Sequence, residues 1–245
     1  MSARLLYDDA RILPSSLTRV ALGASHHLVL DGPLVASADP TKLTKCWRGL
    51  EPFVLKSLSH DERIRLTAWQ EAIALGSVAP FITPCEVLLH DSKAFLLMPW
   101  YLHTVSVMPF LATDALSTLF ECMEGALDFI HRKGFAHCDV KPANICVDHR
   151  RSPQFVLVDL GSIAEFGRPA FTTTAYIPSD FESTLSCAQL DWWMLAVSLT
   201  EMVRSEMKAG VSERAPPTAA VKACLQARLP EVWAKLELRL ADSKQ

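Results

Sequence analysis

The run His137-Cys138-Asp139-Val140-Lys141-Pro142-Ala143-Asn144 is followed by Asp159-Leu160-Gly161 at the end of an apolar stretch. Together they place two carboxylates, an amide and an amine in one phosphate-sized set. Metal-assisted phosphoryl transfer asks for this order of groups. A carboxylate beside a hydroxyl can orient it and accept its proton. An amide oxygen and a second carboxylate are hard ligands that suit a magnesium ion. Each residue taken singly reads equally as a loop cap or a solvated polar group; the order carries the inference.

Such groups act only if the surrounding elements hold them. Residues 114 to 132 repeat Leu116, Leu119, Phe120, Met123, Leu127 and Ile130 at helical spacing. Asp114 is placed to cap that helix and Gly134 to end it. Gln154 to Val158 reads as a short apolar strand, and Leu190 to Met202 as an almost wholly apolar helix of a lobe centre. Upstream, Pro52 to Lys56 reads as a strand ending in a lysine, and residues 60 to 75 as a helix with Ile64, Ala68, Ala72 and Leu75 on one face. Phe81 to Leu89 and Ala94 to Met98 read as strands joined by a hairpin loop at 90 to 93, the second stopped by Pro99. Asp31-Gly32-Pro33 and Ala38-Asp39-Pro40 look like turns in a strand-rich start. The expectation is an α+β fold of two lobes, residues 1–98 rich in strands and 99–245 helical, joined near Met98 to Tyr101. The cleft between lobes is then the default ligand site.

Composition narrows the classes. Half of the 245 residues are apolar and the formal net charge is −3, which suits a globular chain and offers no footprint for nucleic acid or an anionic membrane. Seven cysteines without a CxxC pair argue against a disulfide framework or a zinc site and for a reducing compartment. The start MSARLLYDDA lacks a secretory h-region. Residues 94 to 112 are uncharged, but Pro99, His103 and Pro109 interrupt them, so membrane insertion is not expected. An intracellular, cytoplasmic location follows as an expectation, and nothing in the chain specifies an oligomeric state.

From Phe53 to Met202 the chain resembles a eukaryotic-type protein kinase, most similar to the serine/threonine branch. The family patterns HRDLKxxN, DFG and APE stand here as HCDVKPAN at 137 to 144, DLG at 159 to 161 and PSD at 178 to 180. The resemblance implies a bilobal fold, ATP and Mg2+ as cofactors, and a protein substrate with a Ser or Thr hydroxyl. It implies Asp139 as catalytic base, Lys141 on the transferring phosphate, and Asn144 and Asp159 as metal and nucleotide ligands. Lys56 would grip the α- and β-phosphates and pair with Glu71, with Glu62 a competing partner. Met98 falls at the gatekeeper position, and adenine would meet backbone near Pro99 to Tyr101. Thr173, Tyr176 and Asp180 keep the T-x-x-Y-x-x-x-E spacing of the loop end, which makes Thr173 part of the catalytic set. Asp191 matches a buried aspartate that supports the catalytic loop.

The chain also departs from the pattern. A glycine-rich loop aligned at Gly23 keeps its first glycine only. Cys138 replaces the arginine that pairs with a phosphorylated loop, so activity is expected not to depend on phosphothreonine at 172 to 174. About forty residues follow Met202, with no arginine evident for Asp180. Beside a serine/threonine-type kinase, two other readings stand: a pseudokinase that binds partners, and a kinase-like small-molecule phosphotransferase.

Overall fold

The computed structural model describes residues 19–21, 27–33, 43–73, 79–90, 93–108, 111–149, 154–181, 185–204 and 215–242. The chain divides into two units, residues 1–67 with 83–100 and residues 68–82 with 101–245. The stretch 68–82 is an excursion of the chain into the second unit. That excursion groups with the second unit because the Trp69 ring packs edge-on against Phe129 and Phe135, with centroids 6.2 and 5.5 Å away.

The first unit is an antiparallel sheet in the order β1-β2-β3-β4-β6-β5. Its strands are β1 (Arg19–Ala21), β2 (His27–Pro33), β3 (Leu43–Arg48), β4 (Glu51–Leu58), β5 (Glu86–His90) and β6 (Lys93–Pro99). Gly49, at φ +63°, makes the two-residue turn from β3 to β4, a backbone region that favours glycine. Alternation along the strands sorts side chains onto two faces. One face packs as a core of Leu28, Cys46, Leu55, Leu88 and Leu97. On the other, Lys56 lies opposite Leu96, and Val54 opposite Met98. Burial pushes the Cys46 thiol up to about 12, Arg48 opposing slightly, so Cys46 behaves as an apolar group.

Two sequence expectations fail here. Asp31-Gly32-Pro33 is no turn: it ends β2, with a register shift between Leu30 and Gly32 that absorbs the extra residue as a bulge. The strand expected over 81 to 89 begins only at Glu86, because Pro84 cannot donate to a ladder. The segment 38–40 and the Gly23 region lie outside the described residues.

Helix α1 (His60–Ala72) starts with a capping box: the Ser59 amide donates to Glu62 Oε2 at 2.8 Å, and the Glu62 amide to Ser59 Oγ at 3.2 Å. Its buried stripe is Leu66 and Trp69, while Ile64 is 53% exposed. The face expected from Ile64, Ala68 and Ala72 is therefore wrong; Leu66 and Trp69 together bury more apolar area than one isoleucine and two alanines could, and they set the rotation.

In the second unit, α2 (Thr113–Arg132) buries all six apolar positions expected of it. Asp114 is not its cap. Ala112 is, and the Asp114 carboxylate accepts from the Ala115 amide. Gly134, at φ +78°, turns the chain out of the helix. The short strands β7 (Phe135–Ala136) and β10 (Ala164–Glu165) pair, as do β8 (Ile145–Asp148) and β9 (Gln154–Leu157). Helix α3 (Ala188–Arg204) is buried on most sides, and its Ser198 and Thr200 hydroxyls satisfy themselves on the carbonyls of Met194 and Ala196.

The residues after Met202 are short in number but supply two helices, α4 (Thr218–Arg228) and α5 (Pro230–Asp242). Helix α5 is tied to α2 by Arg239, which bonds Glu124 Oε1 and Asp128 Oδ2 at 3.0 and 2.7 Å. The same guanidinium lies over the Trp192 ring, so charge and stem both hold α5 in place. Among the described residues no helix is long and apolar enough to cross a membrane.

Candidate active site

The chain enters the catalytic loop from β7 and is turned by Cys138, whose φ of +64° is a left-handed value that a residue with a Cβ adopts only at a cost. The turn points two successive amides at one carboxylate. Asp191 accepts from the His137 amide on Oδ2 and the Cys138 amide on Oδ1, each at 2.8 Å, and from His131 Nε2 on Oδ2 at 2.9 Å. Asp191 is fully buried, and these three donors replace the water it lost. The role of Asp191 was legible in sequence; that of His131 was not, because a histidine in the last turn of a helix reads as an ordinary end.

His137 secures the other side of the loop. Its Nδ1 accepts from the Asp139 amide at 3.2 Å, which leaves the proton on Nε2 to donate to the Val158 carbonyl at 3.1 Å. One ring thus links the loop to the chain after β9.

Asp139 stands at the centre. Oδ1 accepts from the Thr173 hydroxyl at 2.7 Å; Oδ2 takes Lys141 Nζ at 2.8 Å and Asn144 Nδ2 at 2.9 Å. Lys141 Nζ also donates to Thr173 Oγ1 at 2.8 Å, closing a ring of three side chains. Burial pushes the Asp139 carboxyl up, but the bonds from Lys141 and Thr173 outweigh it and hold the group below the usual carboxylate range. Asp139 is therefore ionised at neutral pH, able to accept a hydrogen bond and to orient a hydroxyl.

Asn144 and Asp159 flank the β8–β9 hairpin. The Val158 amide donates to the Asn144 carbonyl at 2.9 Å, which ties the two strand ends together. Both bonds from Asn144 Nδ2 go to Asp139, to its carbonyl and to Oδ2, so the amide oxygen is directed elsewhere. Asp159 adopts φ +60° and accepts from the Gly161 amide at 3.2 Å. An amide oxygen and a carboxylate at the end of one hairpin form a donor set that suits a hard, oxygen-seeking dication.

In the first unit, Lys56 is not at a strand end but inside β4, 9% exposed. Its partner is Glu62, with Nζ 3.0 Å from Oε1, and not Glu71. Glu71 is exposed. Nine residues at 100° each put it on the far side of α1 from Glu62. Glu62 shares the stripe of Leu66 and Trp69. Burial raises its carboxyl, but the Ser59 amide and Lys56 more than offset this and hold it low. The Ser-x-x-Glu box at 59 to 62 was the sequence signal that could have identified it. Met98, 7% exposed, sits on the same sheet face as Lys56, two strand positions along; Tyr101 is the second residue after β6.

Gly23 lies outside the described residues. Strand pairing bears on its alignment all the same. The neighbours of β4 on one side are β3 and then β2, so the connection before the lysine strand's hairpin is 34–42. That stretch contains no glycine. Gly23 itself precedes β2.

Downstream, the hydroxyl of Tyr176 is bonded to Glu201, and burial together with this carboxylate raises the phenol well above its ordinary range. Asp180 accepts from the Thr218 amide and hydroxyl, both at 2.7 Å. No sequence pattern linked residues so far apart.

Fold and site together define a protein kinase domain. The family model for that domain matches residues 48–229, and the chain belongs to this family. Over 98 residues it is 33% identical to atypical protein kinase C of Drosophila melanogaster, a match that covers 36% of this chain and 16% of that protein. The chain thus spans a small part of the curated relative's length. Among solved structures it is similar to vaccinia related kinase 3, with a TM-score of 0.63, 15% identity and coverage of 94% and 91% of the two chains. It is also similar to the Cydia pomonella granulovirus kinase PK-1, with a TM-score of 0.56, 18% identity and coverage of 72% and 68%.

Proposed function

We propose that this protein transfers the γ-phosphate of ATP to Ser or Thr hydroxyls of a protein substrate. The observation that carries the reading is the closed ring of Asp139, Lys141 and Thr173. It joins an ionised carboxylate, an ammonium and a hydroxyl that sits on the segment where a substrate would lie.

In this reading Asp139 accepts the hydrogen bond of the incoming hydroxyl and aims its oxygen at the phosphorus. A depressed pKa is no obstacle, since a loose phosphoryl transition state asks more for orientation and charge stabilisation than for a strong base. Lys141 supplies positive charge to the transferring group. Thr173 holds the carboxylate and ammonium at fixed separation and favours a small aliphatic acceptor. Asn144 and Asp159 would hold Mg2+, which when bound neutralises charge on the triphosphate. Lys56, kept in place by Glu62, would bind the α- and β-phosphates. Met98 and the backbone of 99–101 would meet the adenine.

The test is phosphate transfer from radiolabelled ATP with magnesium to a generic basic protein. Asp139→Ala is expected to lose about a thousandfold or more in rate, the scale of removing an orienting group and a charge from a phosphoryl-transfer site. Equal signal from wild type, Asp139→Ala and Lys56→Met would sink the reading. The glycine-free stretch 34–42 favours a second one, a kinase-like protein that binds partners without transfer. A thermal shift caused by ATP, with no transfer in the same preparation, would select it.

A further inference from the structure

The sheet face that carries Lys56 holds a second lysine. Lys45 on β3 stands opposite Val54 on β4, and Val54 opposite Met98 on β6, so the three side chains form one row. On one side of it lies the row of Leu43, Lys56 and Leu96. On the other lie Trp47 and Pro52, and Trp100, whose amide donates to the Pro52 carbonyl at 3.1 Å. Strand alternation puts all three rows on one face, about 7 Å apart.

The ammonium of Lys45 has a defined place on that face. It lies 4.0 Å from the centre of the Trp100 ring and 5.0 Å from that of Trp47. Trp47 is itself tied, its Nε1 donating to Asp31 Oδ2 at 3.2 Å. Lys45 and both tryptophans are half-buried. Aromatic faces attract a cation without neutralising it, and among the described residues no carboxylate pairs with Lys45. The lysine head therefore leans toward the tryptophan row, away from Lys56, and keeps its charge and its donors.

A nucleotide laid along this face with its phosphates at Lys56 has its base one row on, against Val54 and Met98. The base edge farthest from the phosphates then faces the Lys45 ammonium, which has three donors and no acceptor. At position 6 of the purine, on that edge, adenine presents an amino donor and guanine a carbonyl acceptor. Ammonium against amino group sets donor against donor. Ammonium against carbonyl makes a charge-assisted hydrogen bond.

We infer that Lys45 is a specificity-determining residue for the nucleotide: it makes this face receptive to a 6-oxopurine triphosphate such as GTP as well as to ATP. The inference rests on the nucleotide part of the kinase reading above.

The test is calorimetric titration of the full chain with ATP, GTP and inosine triphosphate, each with magnesium. Inosine shares the 6-carbonyl of guanine and lacks its 2-amino group, so it isolates the contact in question. In wild type, GTP and inosine triphosphate are expected to bind within about threefold of ATP. In Lys45→Met both should lose about tenfold, the scale of one charge-assisted hydrogen bond, while ATP binds more tightly because the opposing donor is gone. Lys45→Arg keeps the charge and donors and should keep the wild-type order. If the methionine form fails to fold, Lys45→Val, a residue suited to a strand, takes its place.

A wild-type preference for ATP of about a hundredfold over both oxopurines would overturn the inference. So would a Lys45→Met protein in which all three nucleotides weaken by the same factor, since that marks general attraction to the triphosphate, or one in which the ratios stay as in wild type. If no nucleotide binds, the inference and the proposed function fall together. If nucleotides bind and no phosphate is transferred, the proposed function falls alone, and the binding ratios still decide the role of Lys45.

Discussion

Asp139 takes hydrogen bonds from Lys141, Asn144 and Thr173, and the loop that carries it is held by Asp191 far along the chain. Lys56 depends on Glu62, which lies one strand end and one helix turn away. The first arrangement joins four elements and is satisfied several times over. The second is local, and forms as soon as β4 runs into α1. In many two-unit enzymes a lysine–glutamate pair of this kind is made or broken as a helix shifts. Here the capping box fixes Glu62 to the strand end, so the pair has little freedom to part while α1 stays folded. The contrast teaches that the chain has put its distant, cooperative contacts into the loop around Asp139 and its short, rigid ones beside Lys56.

The distributed arrangement breaks at its hidden support. Asp191→Ala leaves the amides of His137 and Cys138 buried without an acceptor, and should destabilise the second unit by about 2–5 kcal/mol. Phosphate transfer should fall by about a hundredfold or more even in the folded fraction, since Asp139 loses its aim. Thermal unfolding and single-turnover transfer measure the two effects separately. A variant of normal stability and rate would show that the loop holds itself.

The local pair is tested by two glutamates on one helix. Glu62→Gln is expected to lower transfer by about tenfold and to raise the KM for ATP, because Lys56 loses the charge of Glu62. Glu71→Gln, on the opposite face, should stay within about twofold. If the order is reversed, α1 turns during catalysis and the pair is not fixed.

The part of this contrast that was legible in the sequence is the part built from a contiguous motif. HCDVKPAN sets Asp139, Lys141 and Asn144 at neighbouring positions, and the fold brings their side chains into one hydrogen-bonded cluster. Spacing alone misled at α1. Ile64, Ala68 and Ala72 suggested one face, while Leu66 and Trp69 are the side chains that are buried, and they carry Glu62 inward. Asp180 and Thr218 meet only because the chain folds back, and nothing local to either announces it.

Acid should affect both regions alike, over a narrow window. Asp139 and Glu62 each have a carboxyl held below its ordinary value in the folded protein. Such groups contribute stability above the unfolded carboxylate pKa of about 4, and lose it as pH falls through the lower folded value. Between about pH 5 and 8 neither should titrate, so kcat/KM should show no limb from them, and activity and stability should fail together only below about pH 4. A limb with a midpoint near pH 6 would mean that a histidine, and not these carboxylates, governs the acid side.

The smallest effect is expected at the exposed end of the distributed network. Cys138 is fully buried, with its thiol on the Ala136 carbonyl, and offers no cation to a phosphate on the neighbouring segment. Thr173 is already held by a hydroxyl bond to Asp139 and an ammonium from Lys141, contacts that need no modification to form. Alanine at Thr172 and Thr174 together should therefore leave transfer within about threefold, a surface-scale change. Phosphatase treatment of the wild type should do no more. A collapse of activity in either measurement would show that the segment takes its order from a phosphate, and that the contacts around Asp139 are too few to hold it.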